Sequence, residues 1–190
     1  MFDKKLIKQE FSSSIQTIVD SETITEDIQV AIDMIIKCFK NNKKIIIFGN
    51  GGSAADAQHI AAEFLGRFKK ERKSLPAIAL NENSSTITAI GNDYSFEKIF
   101  SRQCESLTNE GDIAIGISTS GNSENVRLGL ITSKKNGAKT IGLLGNNGGV
   151  IKNHVDVSIT IPSSDTPKIQ EVHRIIYHII CKIVEDEIEK

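Results

Sequence analysis

The chain has no excess of charge of either sign. Lys and Arg number 23 against 24 Asp and Glu, for a net charge of −1. That balance supplies no electrostatic footprint for nucleic acid or for an anionic membrane. Cysteine is scarce: Cys38, Cys104 and Cys181 are an odd number at wide spacing, with no C-x-x-C pair. They read as buried, reduced thiols rather than a disulfide frame or a zinc ribbon. No apolar run is long enough to span a bilayer, and the opening Met1-Phe2-Asp3-Lys4-Lys5 lacks a signal-peptide core. The expected location is therefore cytoplasmic. No low-complexity stretch or linker divides the 190 residues, so one domain is expected over 1–190, long enough to bury a full core.

What is present is periodicity. Phe2, Leu6, Phe11, Ile15, Ile18 and Val19 recur at helical spacing, and Ile28, Ile32, Ile35, Ile36 and Phe39 do so again. The Asn41-Asn42 pair stops the second helix, so 1–42 read as leading helices and 43–190 as the main body. From there short apolar strands alternate with amphipathic helices. Strands are expected at 45–48, 77–80, 113–117, 140–144 and 155–161, and helices at 53–68, 96–107, 122–135 and 166–189. This alternation predicts an α/β fold with a parallel sheet and helices on both faces. The last helix carries Ile169, Val172, Ile175, Ile176, Ile179, Ile180, Ile183 and Val184. A helix that apolar is either central to the domain or part of an oligomer interface.

Two loops stand out. Gly49-Asn50-Gly51-Gly52-Ser53 follows the first strand, and Ser118-Thr119-Ser120-Gly121-Asn122-Ser123 follows the third. Short hydroxyls and free backbone N–H groups at a strand-to-helix turn suit a phosphate. Gly145-Asn146-Asn147-Gly148-Gly149 follows the fourth strand in a similar way. The first loop also fits a loose dinucleotide fingerprint, but no acidic residue follows at the distance a ribose needs, and a tight turn without a ligand explains it as well. Asn50 and Ser53 are expected to reach outward from it. The second loop is more specific, because a helix cap needs one hydroxyl and this loop offers four.

His59 and Glu63 lie four apart on the helix after the first loop, and so share a face. That spacing serves two ligands of one metal ion, an acid–base pair, or merely a solvated i,i+4 contact. The last helix adds Gln170, Glu171, His173, His178 and Glu185. Gln170 and His178 are about 12 Å apart along an ideal helix, so one ion reaches both only through extended side chains or ligands from two chains. A lone histidine on an apolar helix is more often a satisfied core residue than a ligand. Gly91-Asn92-Asp93-Tyr94 reads as a helix-ending turn in which Asn92 and Asp93 can leave helical geometry.

Together the run from Gly49 to His59, the segments Ile90-Gly91-Asn92-Asp93-Tyr94 and Gly116 to Ser123, and Ile169-Gln170-Glu171-Val172-His173 with His178 resemble the sugar isomerase (SIS) domain family, and within it the phosphoheptose isomerases. The resemblance covers essentially the whole chain. It implies a three-layer αβα sandwich with a five-stranded parallel sheet and leading N-terminal helices. It implies a homotetramer with active sites at subunit interfaces. The implied reaction converts D-sedoheptulose 7-phosphate to D-glycero-D-manno-heptose 7-phosphate through an enediol, the first step of bacterial ADP- or GDP-heptose synthesis. By the motif match, phosphate and sugar contacts fall on Asn50, Gly51, Gly52, Ser53, Asn92, Asp93, Ser118, Thr119, Ser120 and Ser123. Zinc ligands fall on His59, Glu63, Gln170 and His178, with Glu63 and Gln170 also facing the substrate. The acid–base pair falls on Glu63 and His178. The same fold also resembles the DnaA initiator-associating adaptor, which lacks that carboxylate and histidine, and phosphosugar-sensing modules, which usually carry a DNA-binding domain. A nucleotide-dependent oxidoreductase is the remaining alternative.

Overall fold

A computed structural model of the chain describes residues 3–189; Phe2, the first apolar position of the leading pattern, lies outside the described residues. Asp3 opens α1 (Lys4–Asp20) by accepting the N–H of Lys5 at 2.9 Å. A 3-10 turn, Ser21–Ile24, joins α1 to α2 (Thr25–Lys40). Asn41 then caps α2, and Asn42 turns left-handed at φ 56°, a conformation asparagine tolerates. The body follows as β1 (Ile45–Gly49), α3 (Gly52–Leu65), β2 (Ala77–Ala79), α4 (Ser84–Asp93), α5 (Ser101–Leu107), β3 (Ile113–Ser118), α6 (Glu124–Lys135), β4 (Lys139–Leu144), β5 (Val157–Thr160) and α7 (Thr166–Ile188).

The five strands form one parallel sheet in the order β2-β1-β3-β4-β5. Side-chain alternation along each strand divides the interior in two. Ile45 and Ile47 of β1, with Ile113, Ile115 and Ile117 of β3, face a core built with α2, α3 and α7. Ile46, Phe48 and Ala114 face the opposite core, built with α5 and α6. There Phe48 stacks on Phe100 with centroids 5.1 Å apart. Gly116 lets α6 approach, since a Cβ would fall 2.8 Å from Val126. The result is three layers, helix on sheet on helix.

Strand order reverses between β1 and β3, because β1 leads outward to β2 while β3 continues toward β5. In open parallel sheets the crevice at such a reversal, at the carboxyl ends of the strands, is where ligands sit. Both polar loops flank it.

Several details depart from the pattern expected of the sequence. Helix α4 forms where no helix was expected: Asn83 caps it by accepting from Thr86 N–H at 3.0 Å, and Ile87 and Ile90 pack on the second core. Tertiary burial there overrides the weak helix propensity of its Ser and Thr residues. Asn92 and Asp93 accordingly stay helical, and the chain leaves the helix at Tyr94. The helix expected at 96–107 is split into a 3-10 turn, Phe96–Lys98, and α5. The strand expected at 155–161 is trimmed to Val157–Thr160, and α3 stops at Leu65 with Gly66 as its cap rather than running to Phe68. The loop after β4 leads into short 3-10 turns, not a full helix.

Most of the apolar residues of α7 are buried in the core, with Ile175 and Ile179 exposed, whereas the apolar residues of α1 are not buried. Leu6, Ile7, Phe11 and Ile15 are each more than half exposed. Among the described residues, buried Lys168 of α7 ties α1 to the body: it donates to Ser14 Oγ at 2.8 Å and pairs with Glu10 at 3.2 Å. The three cysteines are buried and free, and burial pushes the Cys38 thiol up to about 12 and Cys104 up to about 11. Among the described residues no helix is long and apolar enough to cross a membrane.

Candidate active site

The loop after β3 spends its hydroxyls on one another. Ser118 Oγ lies 3.0 Å from Ser123 Oγ and 3.4 Å from Ser120 Oγ. Ser123 occupies the N-cap position of α6, yet its side chain makes no capping bond. A serine there would ordinarily cover an orphan helix N–H. Asn122 N–H donates to Ser120 Oγ at 3.1 Å and Val126 N–H to Asn125 Oδ1 at 2.9 Å, so the hydroxyls converge beside a first turn of α6 that is only partly covered, an arrangement that suits an anion. The turn is locked from behind. Ile151 donates to Gly121 O at 3.0 Å and Val150 to Asn122 Oδ1 at 3.0 Å. Gly121 has φ 67°, and a Cβ on it would collide with the Gly148 backbone.

The loop after β1 is bound to the first across the sheet reversal. Asn50 and Asn125 exchange amide hydrogen bonds, Nδ2 to Oδ1 at 2.8 Å and 3.0 Å. Asn50 is therefore tied to its neighbour, and Ser53 is buried, its Cβ crowding Gly49, so neither reaches outward as the turn alone suggested. The residues that remain open here are Gly51 and Gly52. Gly51, at φ 55°, has nothing within 4 Å of the place a Cβ would take. At Gly52 a Cβ would collide with Nε2 of Gln170, so α7 brings Gln170 over the start of α3.

One layer away, α3 and α7 cross and bring His59, Glu63 and His178 together. Ligand-type atoms of all three lie within 4.8 Å of one another. His59 Nε2 is 3.0 Å from Glu63 Oε1, and the His59 and His178 rings meet edge-on with centroids 5.2 Å apart. All three come from one chain, so the spacing along α7 does not require a second chain for them. The small residues Ala57 and Ala61 on α3 sit fully buried in the core that α7 completes. Burial first, then the neighbouring His59, hold His178 below the ordinary histidine range, against the opposing pull of Glu63. Two imidazoles and a carboxylate at this separation are a donor set that suits zinc, and all three groups keep some exposure.

Asn92 and Asp93 end α4, exposed and hydrogen-bonded to each other at 2.9 Å. Among the described residues no hydrogen bond ties them to either loop. Several participants were not evident from the sequence. Asn125 looks like an ordinary residue of α6. Tyr177 sits in an apolar stripe, yet its hydroxyl lies 3.0 Å from His59 Nδ1. Arg72 and Phe68 lie on the connection after α3. Phe68 packs on the His178 ring with centroids 5.7 Å apart, and Arg72 donates to the Glu63 carbonyl at 2.8 Å. Their only signal in the sequence is adjacency to a candidate residue.

Comparison with known proteins bears on the same residues. Residues 9–145 match the SIS domain family. The chain is 58% identical over 165 residues to a phosphoheptose isomerase of Nitratiruptor sp., covering 87% of this chain and 88% of that protein. It is 50% identical over 188 residues to the phosphoheptose isomerase of Clostridium acetobutylicum, covering 97% and 96%. The solved structure of a phosphoheptose isomerase from Francisella tularensis superposes with a TM-score of 0.94 at 37% identity, covering 98% of this chain and 100% of that one.

Proposed function

The chain belongs to the phosphoheptose isomerases of the SIS domain family, and we propose that Glu63 and His178 carry the proton transfers by which it interconverts sedoheptulose 7-phosphate and D-glycero-D-manno-heptose 7-phosphate. The observation that carries this reading is the meeting of Glu63, His59 and His178 at the crossing of α3 and α7. Glu63 takes a proton from C1 of the ketose, and the released electron pair forms the enediolate. A proton is delivered to C2 from His178, the O1 proton passes to O2 as the aldehyde forms, and exchange with solvent takes the proton from Glu63 and returns one to His178, which resets both groups. A proton-transfer pair of this kind contributes about 10²–10⁴-fold each to a rate. Held below the ordinary histidine range, His178 is the stronger acid once protonated, and it takes up the proton it delivers within each cycle.

The phosphate is read as sitting on the loop after β3, against Ser118, Thr119, Ser120, Ser123 and the partly covered N-terminus of α6. Gly51 and Gly52 leave room for the sugar to pass close to the backbone. Asn50 and Ser53 serve by shaping that loop, and Asn92 and Asp93 offer polar groups to sugar hydroxyls. His59, Glu63 and His178 fit a zinc ion, with Gln170 as the fourth ligand; Glu63 and His178 would have to leave the ion to move a proton. Bound there, the ion would polarise substrate oxygens and stabilise enediolate charge. The exposed apolar stripe of α1 supports a homotetramer, in which Asn92 and Asp93 would meet a neighbouring site. A cytoplasmic location accords with the sugar-phosphate substrate. Steady-state turnover of Glu63→Gln and His178→Gln tests the pair: loss in both is expected, and wild-type rates in both would overturn the assignment.

A further inference from the structure

Tyr177 has no part in the chemistry above. It lies on α7 one residue before His178, and only 2% of it is exposed. Its ring meets His178 edge-on at 4.7 Å between centroids and His59 at 5.4 Å. Its hydroxyl crosses to α3 and stops 3.0 Å from Nδ1 of His59. The other nitrogen of that ring, Nε2, faces Glu63 at 3.0 Å. The imidazole is thus gripped at both ends, by a carboxylate in front and a phenol behind.

We propose that Tyr177 is a positioning residue for His59, holding Nδ1 so that Nε2 is presented to Glu63 and His178. The inference rests on the reading of His59 as a metal ligand, except for its ring-orienting half, which stands on the geometry alone. A carboxylate only accepts hydrogen bonds. With the ring neutral, Nε2 therefore carries the proton and donates to Glu63, and Nδ1 accepts from the Tyr177 hydroxyl. When Nε2 turns to a divalent cation it must lose that proton, and the neutral ring keeps its one proton on Nδ1. The Tyr177 oxygen then accepts where it had donated.

A hydroxyl serves both states, because it can donate or accept. A backbone carbonyl or a carboxylate in its place could serve only the loaded one, and an ammonium only the empty one. Tyr177 can stay where it is through the change, since its position is set by burial in the core between α3 and the sheet. The partners of ligating imidazoles typically govern metal affinity by 10–100-fold.

The test uses Tyr177→Phe, which removes one oxygen and keeps the ring. Zn2+ affinity is measured by competition with a chromophoric chelator on wild type, Tyr177→Phe and His59→Gln. Side-chain 15N spectra of the metal-free wild type and Tyr177→Phe are recorded above the ordinary histidine range. The expected result is Zn2+ binding weakened about 10–100-fold in Tyr177→Phe. The wild-type His59 spectrum should show the Nε2–H tautomer alone, and Tyr177→Phe a mixture. Unchanged affinity together with an unchanged tautomer would overturn the proposal, as would an Nδ1–H tautomer in the metal-free wild type, which needs no variant to fold. If His59→Gln binds Zn2+ as tightly as wild type, the metal reading fails, and the tautomer still decides whether Tyr177 holds the ring.

Discussion

Helix α7 carries two histidines five residues apart, and they live in different chemistry. His173 is fully buried, shares its Nε2 with the Leu144 carbonyl at 3.1 Å, and is pushed by burial down to about 4. It is a core histidine with one nitrogen satisfied, while its buried Nδ1 has no hydrogen-bond partner among the described residues. His178 is half-buried, faces a second histidine and a carboxylate, and keeps a path to solvent. The same split divides two glutamates beside α7. Glu185 is 2% exposed and accepts from Phe68, Lys69 and Lys70 backbone N–H groups and from Arg72, at 2.8–3.1 Å. Burial pushes its pKa up, but those donors outweigh burial and leave it below the ordinary range. Glu63 keeps a fifth of its side-chain surface and holds one histidine. A group sealed in the core holds structure; a group with open capacity and a path to solvent can react.

Catalytic loss should separate the pairs most widely. His178→Gln is expected to lower kcat by about 10²–10⁴-fold with little change in the unfolding midpoint. His173→Gln should leave kcat near wild type in the same assay. Equal losses from both would erase the distinction.

Arg72→Met attacks the saturated pair. It removes the only cation on the buried Glu185 carboxylate among the described residues, leaving three backbone N–H donors, and also the donors to the Glu63 and Phe64 carbonyls; urea unfolding should show about 3–5 kcal/mol of destabilisation. Arg72→Met/Glu185→Leu should cost more still, because the Phe68, Lys69 and Lys70 N–H groups then lose their acceptor. A single-variant cost below about 1 kcal/mol would put this pair with surface ion pairs.

His173 should appear in the pH dependence of stability. Its folded pKa is depressed to about 4, so the unfolded chain takes up the proton first as pH falls. Stability is complete above the ordinary histidine value near 6.5 and declines between there and about 4, by about 3 kcal/mol at most. His173→Gln keeps a donor for the Leu144 carbonyl and does not titrate, so its unfolding free energy should lose that slope. An identical slope in wild type and variant would remove His173 as the cause.

The smallest effect extends the contrast to the loop after β3. Ser123 sits where a cap belongs but turns its hydroxyl to Ser118. Ser123→Ala should raise KM about tenfold, the loss of one hydrogen bond to a charged group, without changing the unfolding midpoint. An unchanged KM with about 1 kcal/mol of lost stability would make it an ordinary cap.

Much of the scaffold was legible in the sequence, because apolar periodicity reports which face is buried. All five strands lie within two residues of expectation, and Asn41-Asn42 ends α2 as its chemistry suggests. Helix α4 was missed because Ser84-Ser85-Thr86 carries the local signature of a turn, and only packing of Ile87 and Ile90 makes it a helix. Within the candidate site, His59 and Glu63 were legible as a pair, since helical spacing alone joins them. Their meeting with His178, more than a hundred residues on, depends on how α3 and α7 cross, and no local pattern encodes that. Nor could spacing tell His173 from His178, or show that Asn50 is held by Asn125 and His59 by Tyr177.

The most direct measurement is NMR of the protein acting on sedoheptulose 7-phosphate in D2O, before and after chelation and zinc return. Proton transfer through an enediol predicts heptose 7-phosphate with deuterium at C2, lost on chelation and restored by zinc. Product formed without deuterium at C2, or at an undiminished rate in Glu63→Gln and His178→Gln, would contradict the account.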